Sequence, residues 1–288
     1  MTAVTHRAGV LGSPIAHSLS PVLHTAAYAA LGLDDWEYTA ERVGANHLLA
    51  HVASLDPSWR GLSLTMPLKE VAFQAVDAVS DVAVATGAVN TLVRSSSGSW
   101  HGDNTDVHGI AEGLAESGVR HADRAVLVGS GATARSAVAA LAVLGVRHVD
   151  FMVRDGIRDA TLAQAVAAGM TTSRRAMGDW PEHVDLVVST VPSGGGAAAD
   201  TLPEGGRTLL DVVYGGGPSP FAEAVRARGY AVVPGTTILL HQATEQVRLM
   251  TGRPAPVEAM RTALEEALAR RAAAAPAAHP APAGHPAR

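Results

Sequence analysis

The segment Leu62-Ser63-Leu64-Thr65-Met66-Pro67-Leu68-Lys69 reads as a strand that ends in a hydroxyl, a proline turn and a lysine. A lysine at the carboxyl edge of an α/β sheet can give a proton to a developing alkoxide. Gly102-Asp103-Asn104-Thr105-Asp106 supplies an acid, Asp106, that can pair with Lys69 and keep it charged and oriented. An aspartate so placed can equally cap a following helix. Near the amino terminus, Gly12-Ser13-Pro14-Ile15-Ala16-His17-Ser18-Leu19-Ser20-Pro21 sets Ser18 and Ser20 just ahead of a helix opened by proline. Two hydroxyls beside a helix N-terminus suit a substrate carboxylate, although N-capping would by itself account for Ser20. Asn90, close to a predicted strand start, and Gln242, on a later helix, are further polar candidates.

A second kind of chemistry belongs to Gly129-Ser130-Gly131-Ala132-Thr133-Ala134. Arg124 to Gly129 reads as a buried strand and Thr133 to Leu144 as a helix, so these glycines occupy a strand-to-helix turn. Gly129 permits the tight turn, Gly131 lets backbone approach a pyrophosphate, and Ala134 allows close packing of helix on strand. The phosphates would lie against the helix N-terminus. A glycine turn that merely packs well is the competing explanation.

These residues need two alternating frameworks to hold them. Strands are expected at 7–11, 36–41, 60–65 and 91–94, with helices at 21–31 and 45–55, which implies an open, mostly parallel α/β sheet. After residue 106 the alternation restarts, with strands at 125–129, 148–153, 185–190, 208–213 and 230–233, as a doubly wound nucleotide domain requires. Helices over 238–251 and 256–271 are placed back on the first unit. The expected organisation is a discontinuous α/β substrate domain, 1–106 plus 238–271, with a Rossmann-type nucleotide-binding domain, 107–237, inserted in it. The run Ser95 to Ser99 reads as a hairpin loop and Gly194-Gly195-Gly196 as a flexible loop. The tail 272–288, of Ala, Pro, Gly and His, is expected to be disordered, and its His279 and His285 to bind no metal.

Composition narrows the partners. The chain has 288 residues, a net charge of −5 and scattered Lys and Arg, which argues against a nucleic-acid footprint and for a small-molecule partner. It has no cysteine, so neither disulfides nor thiolate metal sites can form. No apolar run approaches the roughly 20 residues needed to cross a bilayer, and Met1 to Arg7 lacks an apolar signal core. A cytoplasmic enzyme, monomer or homodimer, is expected.

The order of these motifs resembles that of the shikimate dehydrogenases: the Gly12 to Pro21 turn, Thr65-Met66-Pro67-Leu68-Lys69, Gly87-Ala88-Val89-Asn90-Thr91, Gly102 to Asp106, the Gly129 turn, and Tyr214 followed by Pro220-Phe221. The resemblance spans about Ala8 to Met260. It implies a site for 3-dehydroshikimate and shikimate, with Ser18 and Ser20 on the carboxylate and Tyr214 close by. Thr65, Asn90, Asp106 and Gln242 would bond the ring oxygens, and Lys69 and Asp106 would form the catalytic pair. For the cofactor it implies Gly129, Ser130, Gly131, Ala132, Thr133, Val212 and Gly235, the last as hinge or as neighbour of the nicotinamide.

Arg154 and Arg158, in Val153-Arg154-Asp155-Gly156-Ile157-Arg158, match the arginines of the family's Asn-Arg-Thr-x-x-Arg motif and point to NADP(H), since arginine suits a 2′-phosphate. Asp155 sets a carboxylate where that phosphate would lie. Ser63 stands where the family's segment has asparagine, and Thr25 replaces a common asparagine after His24; His17 and His24 are read as turn and helix packing. An NAD-dependent quinate/shikimate dehydrogenase and a non-catalytic metabolite sensor on the same fold are the alternatives.

Overall fold

The computed structural model describes residues 3–191, 197–204, 207–214 and 217–274. The Gly194–Gly196 loop and the two tail histidines lie outside the described residues. The described residues form two six-stranded sheets and the helices that cover them.

The first sheet has the order β2-β1-β3-β5-β6-β4. Its elements are β1 (His6–Gly12), α1 (Ser20–Ala30), β2 (Trp36–Arg42), α2 (Leu48–Ser54), β3 (Trp59–Leu64), β4 (Ala78–Val79), α3 (Asp81–Thr86), β5 (Thr91–Arg94) and β6 (Trp100–Asp103). β1 pairs in parallel with β2 and β3, and β4 with β6, whereas β5 runs antiparallel to both β3 and β6. The physical reason for β5–β6 is the expected Ser95–Ser99 loop, closed by Ser95 N–H on the Ser99 carbonyl at 2.9 Å, which is too short for a parallel crossover. β4 and α3 were not expected. Ser80 caps α3, accepting from Ala83 N–H, and Gly87 ends it in the left-handed region at φ 58°.

The second sheet is parallel throughout, with order β12-β11-β10-β7-β8-β9. It comprises α4 (Asp106–Glu116), β7 (Arg124–Val128), α5 (Ala132–Val143), β8 (His148–Met152), α6 (Asp159–Ala167), β9 (Thr171–Arg175), β10 (Leu186–Ser189), β11 (Thr208–Asp211), α7 (Pro220–Ala227) and β12 (Ala231–Pro234). β7 and β10 neighbour each other, so strand order reverses beside the glycine turn, where such sheets bind ligands. The wholly buried strands Leu186–Ser189 and Ala125–Val128 carry the apolar runs that this position demands. β9 escapes sequence reasoning because Thr-Thr-Ser-Arg-Arg is a polar edge strand. It is fastened from within: the fully buried Asp150 of β8 accepts from Arg124 of β7 and Arg175 of β9, both at 2.8 Å.

α8 (Gly235–Thr251) and α9 (Val257–Ala274) return to the first sheet, where Leu239, Leu240, Ala243, Met260 and Leu264 pack on Leu23 and Ala27 of α1 and on Leu19 just before it. α8 begins at Gly235 rather than residue 238, because Gly235-Thr236-Thr237 are weak helix formers that packing overrides. The expected division at 237/238 therefore falls inside a helix. α9 likewise extends to Ala274, so residues 272–274 belong to it and not to a disordered tail. α4 and α8 cross at Gly109, where a Cβ would come within 2.8 Å of the Ile238 carbonyl oxygen and 2.9 Å of Gln242 Cβ. Ile110, Leu114 and Ile238 from this pair of helices are also part of the second sheet's core. Among the described residues no helix is long and apolar enough to cross a membrane.

Candidate active site

A cleft of about 540 Å³ opens between the two sheets at the carboxyl ends of β1 and β3. Ser18, Ser20, Thr65, Lys69, Asn90, Asp106, Tyr214 and Gln242 all line it, as do Thr133, Val212 and Gly235. Every side chain expected to touch the substrate is thus brought to one cavity, from six separate stretches of chain.

Lys69 Nζ donates to Asp106 Oδ2 at 2.5 Å, with the two side chains only 19% and 13% exposed. Asp106 is the first residue of α4 and does not cap it; its other oxygen accepts from Asn90 Nδ2 at 2.8 Å. Asn104 takes over at the helix start, accepting from Asp106 N–H at 3.1 Å, which leaves the Asp106 carboxylate for lysine and amide. The capping explanation for Ser20 fails as well. α1 has Leu19 at its N-cap and no side-chain cap, and Ser20 is buried against the cleft wall. Ser18 Oγ accepts from Ser20 N–H at 3.3 Å. Thr65 closes on Gly12, where a Cβ would stand 2.3 Å from the threonine methyl, so that glycine is required for the approach.

Gln242 is buried on α8, its amide donating to the Leu239 carbonyl at 3.0 Å. Tyr214 is 41% exposed at the mouth, with its hydroxyl held above the ordinary tyrosine range by partial burial and by the Asp106 carboxylate.

On the nucleotide side, Gly129 has φ 106°, and a Cβ there would lie 2.5 Å from Thr190 Oγ1, so both dihedral and packing demand glycine. Gly131 is the N-cap of α5 with no side-chain cap, and a Cβ there would meet nothing within 4 Å. The α5 N-terminus thus has no side-chain cap and has room beside Gly131, the arrangement that suits an anion at a helix N-terminus. Thr161 anchors the turn by donating to the Ser130 carbonyl at 2.8 Å. Gly129, Ser130, Gly131, Ala132, Arg154 and Arg158 lie outside the cleft lining, along the ends of β7 and β8; Thr133 joins the turn to the cleft. Arg154, Asp155 and Arg158 are all exposed, and Arg174 of β9 donates to the Arg154 carbonyl at 3.4 Å, which adds a third guanidinium at that corner.

Comparison with known proteins decides the ancestry. A family model described as the shikimate dehydrogenase substrate binding domain matches residues 10–92, and one described as the shikimate 5′-dehydrogenase C-terminal domain matches residues 235–265. A Moorella thermoacetica protein named shikimate dehydrogenase (NADP(+)) is 36% identical over 92% of this chain and 95% of its own length. The chain belongs to the shikimate dehydrogenase family. The crystal structure of Mycobacterium tuberculosis shikimate dehydrogenase is similar at 41% identity and a TM-score of 0.82, covering 91% of this chain and 99% of that one. The Thermus thermophilus shikimate 5-dehydrogenase, solved in complex with NADP(H) and shikimate, is similar at 30% identity and a TM-score of 0.79, covering 91% and 99%.

Within this shikimate dehydrogenase architecture, sequence reasoning missed two buried side chains, Gln246, which reaches the cleft lining, and Tyr38, and it missed their link to His24. Gln246, one turn beyond Gln242, accepts from the Ser63 hydroxyl at 2.8 Å. Tyr38 of β2 donates to Ser63 Oγ at 2.6 Å. His24, fully buried, stacks on Tyr38 with ring centroids 3.9 Å apart and meets Gln246 Oε1 at 3.3 Å. The packing role expected of His24 is what the stacking shows.

Burial, opposed by the Gln246 bond, holds the His24 pKa down to about 3 from an ordinary 6.5. On acidification the unfolded chain takes up a proton near the ordinary value, while the folded chain refuses it until about 3. Stability is therefore full above the ordinary value and is lost progressively between those two limits. Thermal melts taken from about pH 7 to about pH 4 should fall more steeply for the wild type than for His24→Phe, which keeps the stack and cannot titrate.

Proposed function

We infer that this chain catalyses the reversible NADPH-dependent reduction of 3-dehydroshikimate to shikimate, a step of chorismate and aromatic amino-acid biosynthesis. The observation that carries the reading is the Lys69–Asp106 pair at 2.5 Å, set in a cleft whose wall also holds Ser18 and Ser20. We further take residues 1–106 with the returning helices α8 and α9 (235–274) as the substrate-binding unit and 107–234 as the nucleotide-binding unit, acting in the cytoplasm as monomer or homodimer.

When bound, NADPH supplies a hydride to the ring ketone. The uncapped α5 terminus under Gly131 fits its pyrophosphate, and the exposed Arg154 and Arg158 fit its 2′-phosphate. Val212 and Gly235, which line the cleft beside Thr133, fit the nicotinamide end. As the ketone carbon gains the hydride, negative charge grows on its oxygen, and the Lys69 ammonium neutralises and protonates it. Asp106, held by Asn90, keeps that ammonium aimed and accepts from a ring hydroxyl. Ser18 and Ser20 hold the carboxylate, with Tyr214 at the mouth, while Thr65 and Gln242 bond the remaining ring oxygens. In the oxidative direction the same pair receives the hydroxyl proton.

The test is absorbance at the reduced-nicotinamide band with shikimate and with quinate against NADP+ and NAD+. Shikimate with NADP+ is expected to be the fastest combination; quinate turnover matching that of shikimate, or preference for NAD+, would refute the assignment. Arg154→Ala should raise KM for NADP+ roughly tenfold or more while changing KM for NAD+ little, because one charge-assisted phosphate contact contributes about 1.5–3 kcal/mol.

A further inference from the structure

We propose that Gln246 is a positioning residue for this reaction, holding the Asp106 carboxylate in register through Thr91 and Asn90. The proposal rests on the reading of the preceding section, and it concerns a side chain with no direct place in the proton-transfer pair.

The hydrogen-bond directions can be followed from one end. A carboxylate only accepts, so Asn90 must turn its amide nitrogen to Asp106 Oδ1, at 2.8 Å. The Asn90 carbonyl then faces the other way and accepts the Thr91 hydroxyl at 2.8 Å, together with Thr105 N–H at 2.8 Å. Thr91 has spent its one proton, so its oxygen can only accept, and Gln246 Nε2 donates to it at 3.0 Å. That orients Gln246 Oε1 toward the Ser63 hydroxyl at 2.8 Å and His24 Nε2 at 3.3 Å. His24 is neutral in this setting, so its one proton sits on Nε2, and Nδ1 is left without a partner. Each group's orientation follows from its neighbour's, and none is free to flip alone.

Burial makes the arrangement stiff. Asn90 is 2% exposed, Thr91 0% and Gln246 1%, so a broken link leaves a polar atom away from water. Ser63 is where Tyr38 and Gln246 meet, and it is also the position at which this chain departs from the family's asparagine.

The experiment is steady-state oxidation of shikimate by the full chain, with thermal melts on each variant. Gln246→Met keeps volume and removes both hydrogen-bonding ends. It should lower kcat about five- to tenfold, with KM for NADP+ unchanged and KM for shikimate within about twofold. Thr91→Val should do the same, and Thr91→Ser, which restores the hydroxyl, should recover most of the rate. The double variant Gln246→Met with Thr91→Val should be no slower than either single one, since both cut one path.

A folded Gln246→Met with wild-type kcat would overturn the proposal, as would Thr91→Ser as slow as Thr91→Val, or losses that multiply in the double variant. If Gln246→Met does not fold, the Thr91 pair decides alone. Failure of the wild type to oxidise shikimate would instead remove the functional reading, and the proposal with it.

Discussion

Lys69→Ala should lower kcat for shikimate oxidation by about a thousandfold while leaving shikimate binding nearly intact, the central value for removal of a group that moves a proton in the transition state. The split follows from the cleft's division of labour. The serines at the start of α1, Thr65 and Gln242 are untouched by the substitution and hold the ground state. Truncation leaves Asp106 with its bond from Asn90 but without its cation, so the oxygen of the reacting carbon loses its neutralising partner. Steady-state kinetics give kcat, and titration calorimetry with shikimate gives the affinity. An unchanged rate would mean that the chemistry lies elsewhere; equal losses in rate and affinity would mean that Lys69 serves binding alone.

Gly235→Ala should cost about 2–3 kcal/mol of stability, near the upper end for overpacking, and with it most of the activity. The added Cβ would stand 2.4 Å from the Val212 carbonyl oxygen, 2.6 Å from its carbon and 2.8 Å from the Val213 carbonyl oxygen. These are backbone atoms and cannot rotate away, so α8 or the segment after β11 must move. Val212, Val213 and Gly235 all line the cleft, so the shift reaches the cofactor side directly. In a chain of this size the melting temperature should drop by roughly 4–10 °C. Gly131→Ala is the informative contrast, because its Cβ meets nothing within 4 Å. It should melt with the wild type yet bind NADP+ more weakly, since the methyl enters the space over the α5 amides. Equal melting temperatures for Gly235→Ala and the wild type would refute this account of the glycine.

Much of this was legible in the chain because the chemistry sits at strand ends. Thr65 and Lys69 follow β3, Asp106 follows β6, and the glycine turn follows β7, so a correct alternation of strands carried the reacting groups to one edge. Thr91–Arg94 and the Ser95–Ser99 loop read well for the same local reasons. The misses have physical causes too. β9 is polar because it is an edge strand, and α8 starts early because packing overrides the poor helix propensity of Gly235-Thr236-Thr237. Gln246 and Tyr38 were invisible because their partners lie far away in sequence; Gln246 meets Ser63 across 183 positions. No periodicity encodes such a meeting. The family resemblance covered the groups expected on the substrate and did not reach Gln246 or Tyr38.

One side chain ties the two sheets at a corner. Arg135 of α5, 6% exposed, donates to the Thr86 and Gly87 carbonyls and to Glu70 Oε1 at 2.6 Å, and nearby Asn104 Nδ2 donates to Ser136 Oγ at 3.1 Å. Gly87 lies three residues before Asn90, and Glu70 directly follows Lys69. The α5 terminus and the Lys69–Asn90 edge of the cleft therefore share one buried anchor, so loss of this guanidinium would be felt on the substrate side and the nucleotide side together.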